Sequence, residues 1–348
     1  MMAGASIHRD GPLAGLAVFE RGWLSSNNIC IEPVAGEPGA VLVDTGHVNH
    51  AAQTVALVQH ALQGRPLARV VNTHLHSDHC GGNASLRRAF GAPQHVPPGQ
   101  AQAVREWDEA RLSYRGTGQL IEPFAIDGEL PPGEVMVAGG RHWEVLAAPG
   151  HDPHSVMLFD RERGVLISAD ALWGDGFGVV FPEVAGEPGF EDVGRVLEQI
   201  AALPVRWVIP GHGVPFDDVP AALDRARRRL DAFIKAPHRH ARYAAKVLVK
   251  YHLMEVRRQT WPELLAWIAG TGLLQGLWAR HGPPDLPGPE AWAVQIVEEL
   301  LAQGALLAGL GLALPASGWL GLAFLCLADG WCRRIEYLRI RDILARRG

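Results

Sequence analysis

The sequence predicts an α/β protein in which parallel strands are covered by helices, followed by a mostly helical C-terminal extension. Short apolar runs at residues 40–43 and 67–72 flank a helical pattern at 51–62, which gives a β-α-β unit. After Phe216 the composition changes, and helical patterns replace the alternation of strands and helices. The chain has 348 residues, of which 48% are hydrophobic, and this is enough for a large core and a further domain.

Charge and cysteine usage narrow the class of protein. The formal net charge of −5 at pH 7 gives no overall basic surface of the kind that nucleic acids need. Cys30, Cys80, Cys326 and Cys332 form no Cys-x-x-Cys pair, which is typical of a reducing compartment. Residues 1–12 lack the apolar segment of a secretion signal. We therefore expect a cytoplasmic protein.

The first two thirds of the chain contain strands that each end in a polar side chain. In chain order, the predicted elements are a hairpin or meander at residues 16–32, a turn at 36–39, strand 40–43, helix 51–62, strand 67–72, helix 101–112, and strands 144–148, 164–168 and 206–209. Because open α/β sheets place their sites at the carboxyl ends of strands, we expect the polar residues after these strands to meet.

The densest group of potential metal ligands lies in residues 72–83, between a predicted strand and a helical pattern. The segment reads Asn-Thr-His-Leu-His-Ser-Asp-His-Cys-Gly-Gly-Asn. In an extended segment the side chains of His74 and His76 project to the same side, whereas on a helix they would diverge by about 200°. The helical His-Glu-x-x-His zinc motif is therefore excluded.

Asp78 and His79 follow in the same loop, so that four donors occupy six positions. Neutral imidazoles and a carboxylate suit Zn²⁺, Fe²⁺ or Mn²⁺. A single ion could not easily take four ligands from so short a loop. Two adjacent ions are the natural interpretation.

Later strand ends supply further candidates. Residues 149–155 contain His151 and His154, Asp170 follows the strand at 164–168, and His212 lies in a Pro-Gly-His-Gly segment after the strand at 206–209. His154 could either contact substrate or cap local structure. Each of these residues on its own would be an ordinary turn residue, and their common position at strand ends is what favours a site.

The motif His-x-His-x-Asp-His, with the later strand ends in the expected order, resembles the metallo-β-lactamase superfamily of binuclear metallohydrolases. The resemblance implies an αββα sandwich for the first part of the chain. It further implies that His74, His76 and His151 hold one ion, that Asp78, His79 and His212 hold the other, and that Asp170 bridges both.

Asp44, after the strand at 40–43, is expected from the same resemblance to orient a ligand histidine by accepting its other N–H. The alternative is a simple turn residue before Gly46.

The pattern Thr-His-x-His-x-Asp-His with a bridging aspartate is similar to hydroxyacylglutathione hydrolases, the glyoxalase II enzymes. This implies hydrolysis of a small-molecule thioester, ester or lactone by a hydroxide formed from water shared by two zinc ions. Asp78 and Asp170 are the candidate catalytic carboxylates, and Asp78 could also move the proton. The alternatives are a phosphodiesterase or ribonuclease of the same superfamily, a mononuclear iron persulfide dioxygenase, and a binding module without activity.

A Gly-bearing segment at residues 173–190 contains several aromatic side chains. They could form an apolar wall for substrate, with Trp173 and Phe177 as candidate contacts, or they could plug the edge of the core.

The C-terminal third begins with a basic stretch, since residues 225–258 hold eleven Lys or Arg against Asp231 and Glu255. A solvated basic face is the expected interpretation, and nucleic acid is a less favoured partner. Predicted helices at 241–256, 262–268 and 290–303 and a hairpin at 305–314, turning at Gly309 and Gly311, resemble a winged-helix module. We therefore expect a catalytic domain at 1–235, a winged-helix-like domain at 236–316 and a tail at 317–348.

The tail is apolar and then basic. Residues 300–328 contain no charged side chain, and arginines follow. Its length would allow a membrane span, but several glycines and Pro315 interrupt it, so that a packed hairpin or helix is favoured over a membrane anchor.

Overall fold

The computed structural model describes residues 4–112, 114–313 and 320–327. The chain forms two compact units, Met1–Ala236 and Pro237–Gly348. The predicted α/β class with a helical extension is confirmed.

The first unit contains a seven-stranded and a five-stranded sheet. In the seven-stranded sheet each strand pairs with the strand that follows it in the chain. The strands are β1 (Gly4–His8), β2 (Leu16–Glu20), β3 (Asn28–Ile31), β4 (Ala40–Val43), β5 (Leu67–Val71), β6 (Gln94–Val96) and β7 (Gly128–Glu129). The other sheet has the order β12-β11-β10-β9-β8 and consists of β8 (Val135–Ala138), β9 (Arg141–Ala147), β10 (Val156–Asp160), β11 (Val165–Ala169) and β12 (Trp207–Pro210).

Both sheets are mixed. Strands β4 to β7 are parallel to one another, as are β11 and β12, while the other neighbours are antiparallel. Strand β9 runs in the same direction as β11 because β10 lies antiparallel between them. The prediction of parallel strands therefore holds for β4 to β7 and for β11 with β12. Short connections, such as those that join β2 to β3 and β9 to β10, allow only antiparallel pairs.

The helices of the first unit lie mainly between and after the strands. They are α1 (Ala51–Leu62), α2 (Ser77–Cys80), α3 (Asn83–Phe90), α4 (Pro98–Glu106), α5 (Tyr114–Thr117), α6 (Phe181–Ala185), α7 (Phe190–Ala202) and α8 (Val219–Lys235), with a short 3-10 helix at Val48–His50. The helix predicted at 101–112 ends earlier because Trp107 has the left-handed conformation, with φ of 51°, that terminates a helix.

The core of this unit is formed where the two sheets face each other. Val41 and Val71 of one sheet and Trp143 and Ile167 of the other belong to this buried cluster. On the opposite face of the seven-stranded sheet, helices α1 and α3 pack through a second apolar cluster. Strands buried on both faces read as continuous apolar runs, which is why β4 and β5 stood out in the sequence.

The second unit combines helices with a three-stranded antiparallel sheet of order β13-β15-β14. Its elements are α9 (Pro237–Val256), β13 (Arg258–Thr260), α10 (Trp261–Gly270), α11 (Gly272–His281), α12 (Pro289–Ala302), β14 (Leu306–Ala313) and β15 (Leu320–Leu327). Arg242 on α9 donates to the Glu299 carboxylate on α12, with 3.1 Å between Nε and Oε1.

The prediction of a hairpin turn at Gly309 and Gly311 is wrong. Both residues lie within strand β14, where they pair with Phe324 and Leu322 of β15. The partner strand comes from the segment that the sequence assigned to the tail, because glycine also adopts extended conformations and a long-range pairing leaves no local signal. Residues 317–319 and 328–348 of the predicted tail lie outside the described residues. Within the described parts, no helix is both long and apolar enough to cross a membrane.

Candidate metal centre

The donors predicted from the sequence gather at one edge of the sandwich. Strands β4 and β5 of one sheet and β9, β11 and β12 of the other all end there, because their carboxyl ends point the same way. Within the described residues there are three groups in which the donor atoms lie within 4.8 Å of one another. His74, His76 and His151 are named the first donor group, and Asp78, His79 and His212 the second donor group. The remaining group, His74, His79 and Asp170, shares residues with both.

The first donor group consists of three imidazoles. Nδ1 of His76 lies 3.1 Å from Nε2 of His74 and 2.7 Å from Nε2 of His151. All three rings are buried, and the rings of His76 and His151 meet edge to face at 4.6 Å between centroids. Three nitrogens therefore converge on one small volume.

The second donor group combines a carboxylate with two imidazoles. Oδ2 of Asp78 lies 3.0 Å from Nε2 of His212 and 3.8 Å from Nε2 of His79. His79 is fully buried, while His212 and Asp78 are half-buried at the open side of the site.

Asp170 lies between the two groups. Its Oδ2 is 3.3 Å from Nε2 of His151, and its Oδ1 is 3.4 Å from Nε2 of His79 and 3.9 Å from Nε2 of His212. One carboxylate oxygen thus faces each donor group. This is the arrangement that a bridging carboxylate requires.

The backbone around the two buried carboxylates adopts unusual conformations. Asp44 has φ of 57° and Ala169, just before Asp170, has φ of 47°, both in the left-handed region that costs a non-glycine residue roughly 1 kcal/mol or more. Gly211 faces Asp170, and a β-carbon at position 211 would collide with the carboxylate and lie 3.1 Å from the Ala169 backbone. Glycine is therefore needed at position 211.

Hydrogen bonds from outside the cluster fix the orientation of the rings. The Asp44 carboxylate accepts from Nδ1 of His79 at 2.7 Å, and it also accepts from the amide and the hydroxyl of Thr73 at 2.9 and 2.8 Å. The carbonyl oxygen of Val179 accepts from Nδ1 of His151 at 2.6 Å. In both histidines the other nitrogen, Nε2, is left facing the site.

The buried charges influence one another strongly. Burial disfavours the charged form of His79, but three neighbouring carboxylates, of which Asp44 has the largest effect, raise its pKa well above the usual value. Burial would raise the pKa of Asp170, yet the adjacent histidines, with His79 first, hold it well below its ordinary range. Burial and the neighbouring His151 lower the pKa of His76 to about 4. Asp170 is therefore ionised and His76 is neutral near pH 7, as metal ligands must be, whereas a metal ion has to displace the proton that the carboxylates favour on His79.

The donor set fits divalent metal ions. Nε2 of His79 is buried and makes no hydrogen bond to any described residue, although an unsatisfied buried nitrogen is costly. A cation at this point would satisfy it. Imidazole nitrogens and carboxylate oxygens are ligands that Zn²⁺ and its neighbours accept.

Residues 21–212, more than half of the chain, match the model of the metallo-beta-lactamase superfamily. The chain belongs to the metallo-β-lactamase superfamily. The matched residues include every donor of the cluster, and the family predicted from the sequence is confirmed.

Relatives in the superfamily share part of the chain. A hydroxyacylglutathione hydrolase of Synechococcus sp. strain JA-3-3Ab is 34% identical over 141 residues, which cover 40% of this chain and 47% of that protein. The probable metallo-hydrolase YqgX of Bacillus subtilis is 31% identical over 161 residues, covering 44% of this chain and 71% of that one. The chain spans about half the length of curated relatives such as the hydroxyacylglutathione hydrolases.

Solved structures share the fold over a larger share of the chain. A beta-lactamase domain protein from Burkholderia ambifaria superposes with a TM-score of 0.53 at 20% identity, covering 80% of this chain and 90% of that one. A metallo-beta-lactamase family protein from Thermus thermophilus gives 0.50 at 22% identity, covering 89% and 98%. At these identities the likeness concerns the fold.

The sequence offered His154, Trp173 and Phe177 as possible substrate contacts. Of these three, only Trp173 contacts a residue of the metal-donor cluster in the structure. Its indole Nε1 donates to Oδ1 of Asp170 at 3.2 Å. Phe177 is buried against Phe233, which fits the predicted alternative of a plug at the edge of the core. The exposed ring of His154 lies against Gly99 at the start of α4, and its amide donates to Asp152, which fits the predicted alternative of local capping.

Trp23 and Asp152 near the cluster were not singled out in the sequence, and Phe181 of the predicted aromatic segment 173–190 lies there as well. Trp23 stacks on His212, with 6.2 Å between the ring centroids, and Phe181 lies 4.5 Å from the His76 ring. Oδ2 of Asp152 is 3.8 Å from Nε2 of His76. Asp152 could have been found, because it follows His151 directly at the end of a strand. Trp23 carries no local signal, since it lies far from the other site residues in the sequence.

Proposed function

We propose that this chain is a binuclear metal-dependent hydrolase that cleaves a thioester, ester or lactone, in the manner of glyoxalase II. The observation that carries the proposal is the position of Asp170, with one oxygen toward each of two donor groups. Hydroxyacylglutathione hydrolases among the relatives favour a thioester.

In this proposal each residue of the cluster has a defined role. His74, His76 and His151 would hold one ion, Asp78, His79 and His212 the other, and Asp170 both. Two bound cations would supply a hydroxide from shared water near neutral pH and polarise the scissile carbonyl.

The side chains around the cluster orient the donors and handle the proton. Asp44 holds His79, and the Val179 carbonyl holds His151, so that neither ring has to reorganise during the reaction. The Asp78 side chain is 13% exposed against 5% for Asp170. The Asp78 carboxylate is thus better placed than that of Asp170 to take a proton from the attacking water and to pass it to the leaving group. Oδ1 would do this, since Oδ2 faces the donor nitrogens of His212 and His79.

Zinc is the metal we propose. The cluster supplies only nitrogen and oxygen donors, and these also suit Fe²⁺ and Mn²⁺. Metal content measured in the purified protein therefore identifies the ion, and a single iron per chain would favour a persulfide dioxygenase instead.

We also propose that residues 1–235 form the catalytic domain and that the unit after them is an accessory domain of the winged-helix type. The support is the order of α9, α10 and α12 followed by the pair β14 and β15. In helix-turn-helix modules a recognition helix contacts the nucleic acid. Helix α12, which precedes the strand pair, carries Glu290, Glu298 and Glu299 and no Lys or Arg. This charge favours a small-molecule substrate for the protein over nucleic acid.

The test combines metal analysis with a panel of substrates. We expect two metal ions per chain and metal-dependent turnover of thioesters or lactones that exceeds turnover of bis-nitrophenyl phosphate. His76→Ala should lose metal and activity together. His142→Ala, which removes an exposed histidine on strand β9, is the matched control and should retain both. Full activity after complete removal of metal by chelator contradicts the proposal.

A further inference from the structure

Aromatic rings lie against the ligand histidines on the open side of the cluster. Trp173 meets the His212 ring edge to face, with 5.2 Å between centroids, and Trp23 stacks on the same ring. Phe181 lies against His76, which belongs to the other donor group. We propose that Trp23, Trp173 and Phe181, here named the aromatic wall, bind the acyl part of the substrate and make the site selective for apolar acyl chains, an inference that rests on the proposed hydrolase function.

The exposure of these residues argues for an apolar ligand. Trp23 remains 43% exposed although tryptophan is the largest apolar side chain, and Trp173 and Phe181 are part-exposed. Large apolar side chains exposed together beside a site mark a surface that a ligand or partner covers. Because Trp23 stacks on the His212 ring, a chain that covers it is held next to the donors.

The wall offers few polar partners. The one hydrogen-bond donor of the Trp173 side chain is already engaged by Oδ1 of Asp170. A hydroxyl group on an acyl chain at this point would lose its water without gaining a partner, whereas an apolar chain would gain contact with the ring faces. The wall therefore favours alkyl or aryl acyl groups over hydroxyacyl groups.

The wall is held in place before substrate arrives. The side-chain amide of Asn27 lies in the loop that carries Trp23. Its Nδ2 donates to the carbonyl oxygens of Pro210 and Gly213 at 2.9 and 2.7 Å, which links that loop to the loop that carries His212. The amide of Trp173 donates to the carbonyl oxygen of Gly176 at 2.6 Å. Because these loops are already held by hydrogen bonds, they lose less conformational freedom on binding. More of the free energy gained by burying the acyl chain therefore contributes to affinity.

The experiment varies the acyl chain on one neutral thiol. Acetyl, butyryl and hexanoyl thioesters of N-acetylcysteamine are hydrolysed by the metal-loaded protein, and we expect kcat/KM to rise by about fourfold for each methylene buried against the wall. In Trp23→Ala the ratio of hexanoyl to acetyl kcat/KM should fall by about fifteenfold, which corresponds to the loss of about two buried methylenes. Phe181→Ala provides a second, independent change to the wall.

A binding measurement gives a readout besides turnover. The uncleavable thioether S-hexyl-N-acetylcysteamine is titrated calorimetrically into the unaltered protein and into Trp23→Ala. The substitution should raise the Kd of the thioether by a similar factor. Val137→Ala is the matched control, because Val137 is also more than half exposed but lies on edge strand β8, and it should change neither ratio nor Kd.

The outcomes separate this inference from the proposed function. Metal-dependent turnover that is independent of acyl length, or equal loss of acetyl and hexanoyl turnover in Trp23→Ala with unchanged thioether binding, overturns the aromatic wall and leaves the hydrolase intact. The absence of metal-dependent turnover for every thioester, ester and lactone overturns the proposed function, and the inference with it.

Discussion

Replacing Asp44 by asparagine tests whether the site depends on a residue that holds a ligand without being one. Asp44 is buried and accepts three hydrogen bonds, two from Thr73 and one from Nδ1 of His79. An asparagine has the same shape, but one of its two terminal atoms is an NH₂ group that cannot accept from these donors. At least one of the three bonds must therefore be lost.

The expected loss of metal affinity depends on which of the three hydrogen bonds orients a metal ligand. The 2.7 Å bond to His79 fixes the ring whose Nε2 lies in the second donor group, whereas the other two bonds go to Thr73, which is not a donor of either group. Loss of such a supporting carboxylate typically weakens metal binding by about 10- to 100-fold, equivalent to about 1.4 to 2.7 kcal/mol. We expect this loss for the ion that we propose at Asp78, His79 and His212, and less than about threefold for the ion proposed at His74, His76 and His151.

The assay is a competition titration against a chromophoric chelator, which yields two zinc affinities per chain, together with thermal unfolding of the metal-free protein. Thr73→Val is the comparison, because it removes the hydroxyl donor and leaves the bond between Asp44 and His79 in place. The same hydroxyl lies 3.2 Å from Nδ1 of His74, so that any loss caused by Thr73→Val should fall mainly on the other ion. Thr73→Val should change zinc affinity by less than Asp44→Asn does. Unchanged affinity for both ions in Asp44→Asn, or equal weakening of both, would refute the reasoning.

Three further changes have expected outcomes of different sign. Gly211→Ala should lower activity by at least about tenfold, because the added methyl group collides with the Asp170 carboxylate, and a fully active variant would contradict this. Gly194→Ala in helix α7 should instead stabilise the protein in thermal unfolding by about 0.5–1 kcal/mol, since its β-carbon meets only ordinary contact at 3.6 Å. The hydrogen bond from Arg242 lowers the pKa of Glu299 below 4.5, so that stability present above pH 4.5 should be lost as the pH falls through the lowered value. The loss should be at most about 1 kcal/mol because the pair is part-exposed, and chemical unfolding of Glu299→Gln should show none of this pH dependence.

Much of the fold and of the site was predictable because the signals are local. Strand β4 and the end of β5 at Val70 and Val71 are buried and therefore read as apolar runs, and a polar residue directly after such a run stands out. His151, Asp170 and His212 were found in this way. These three residues lie close together because the strands before them, β9, β11 and β12, run in the same direction and end at one edge of the sandwich.

Other features depend on contacts between distant segments, for which the sequence carries no periodic signal. Phe177 and Trp173 lie four positions apart in one aromatic segment, yet one packs in the core and the other reaches Asp170. Trp23 reaches His212 only because the amide of Asn27 ties its loop to the loop after β12.

Residue types and their order along the chain predicted an α/β fold and a set of potential metal donors, because strand burial and ligand chemistry are properties of short segments. The tertiary structure alone decided which donors form each group, that the two oxygens of Asp170 face different groups, and which aromatic rings surround them. The physical reason is that these distances are set by the packing of two sheets against each other, in which each side chain takes the position that its neighbours leave open.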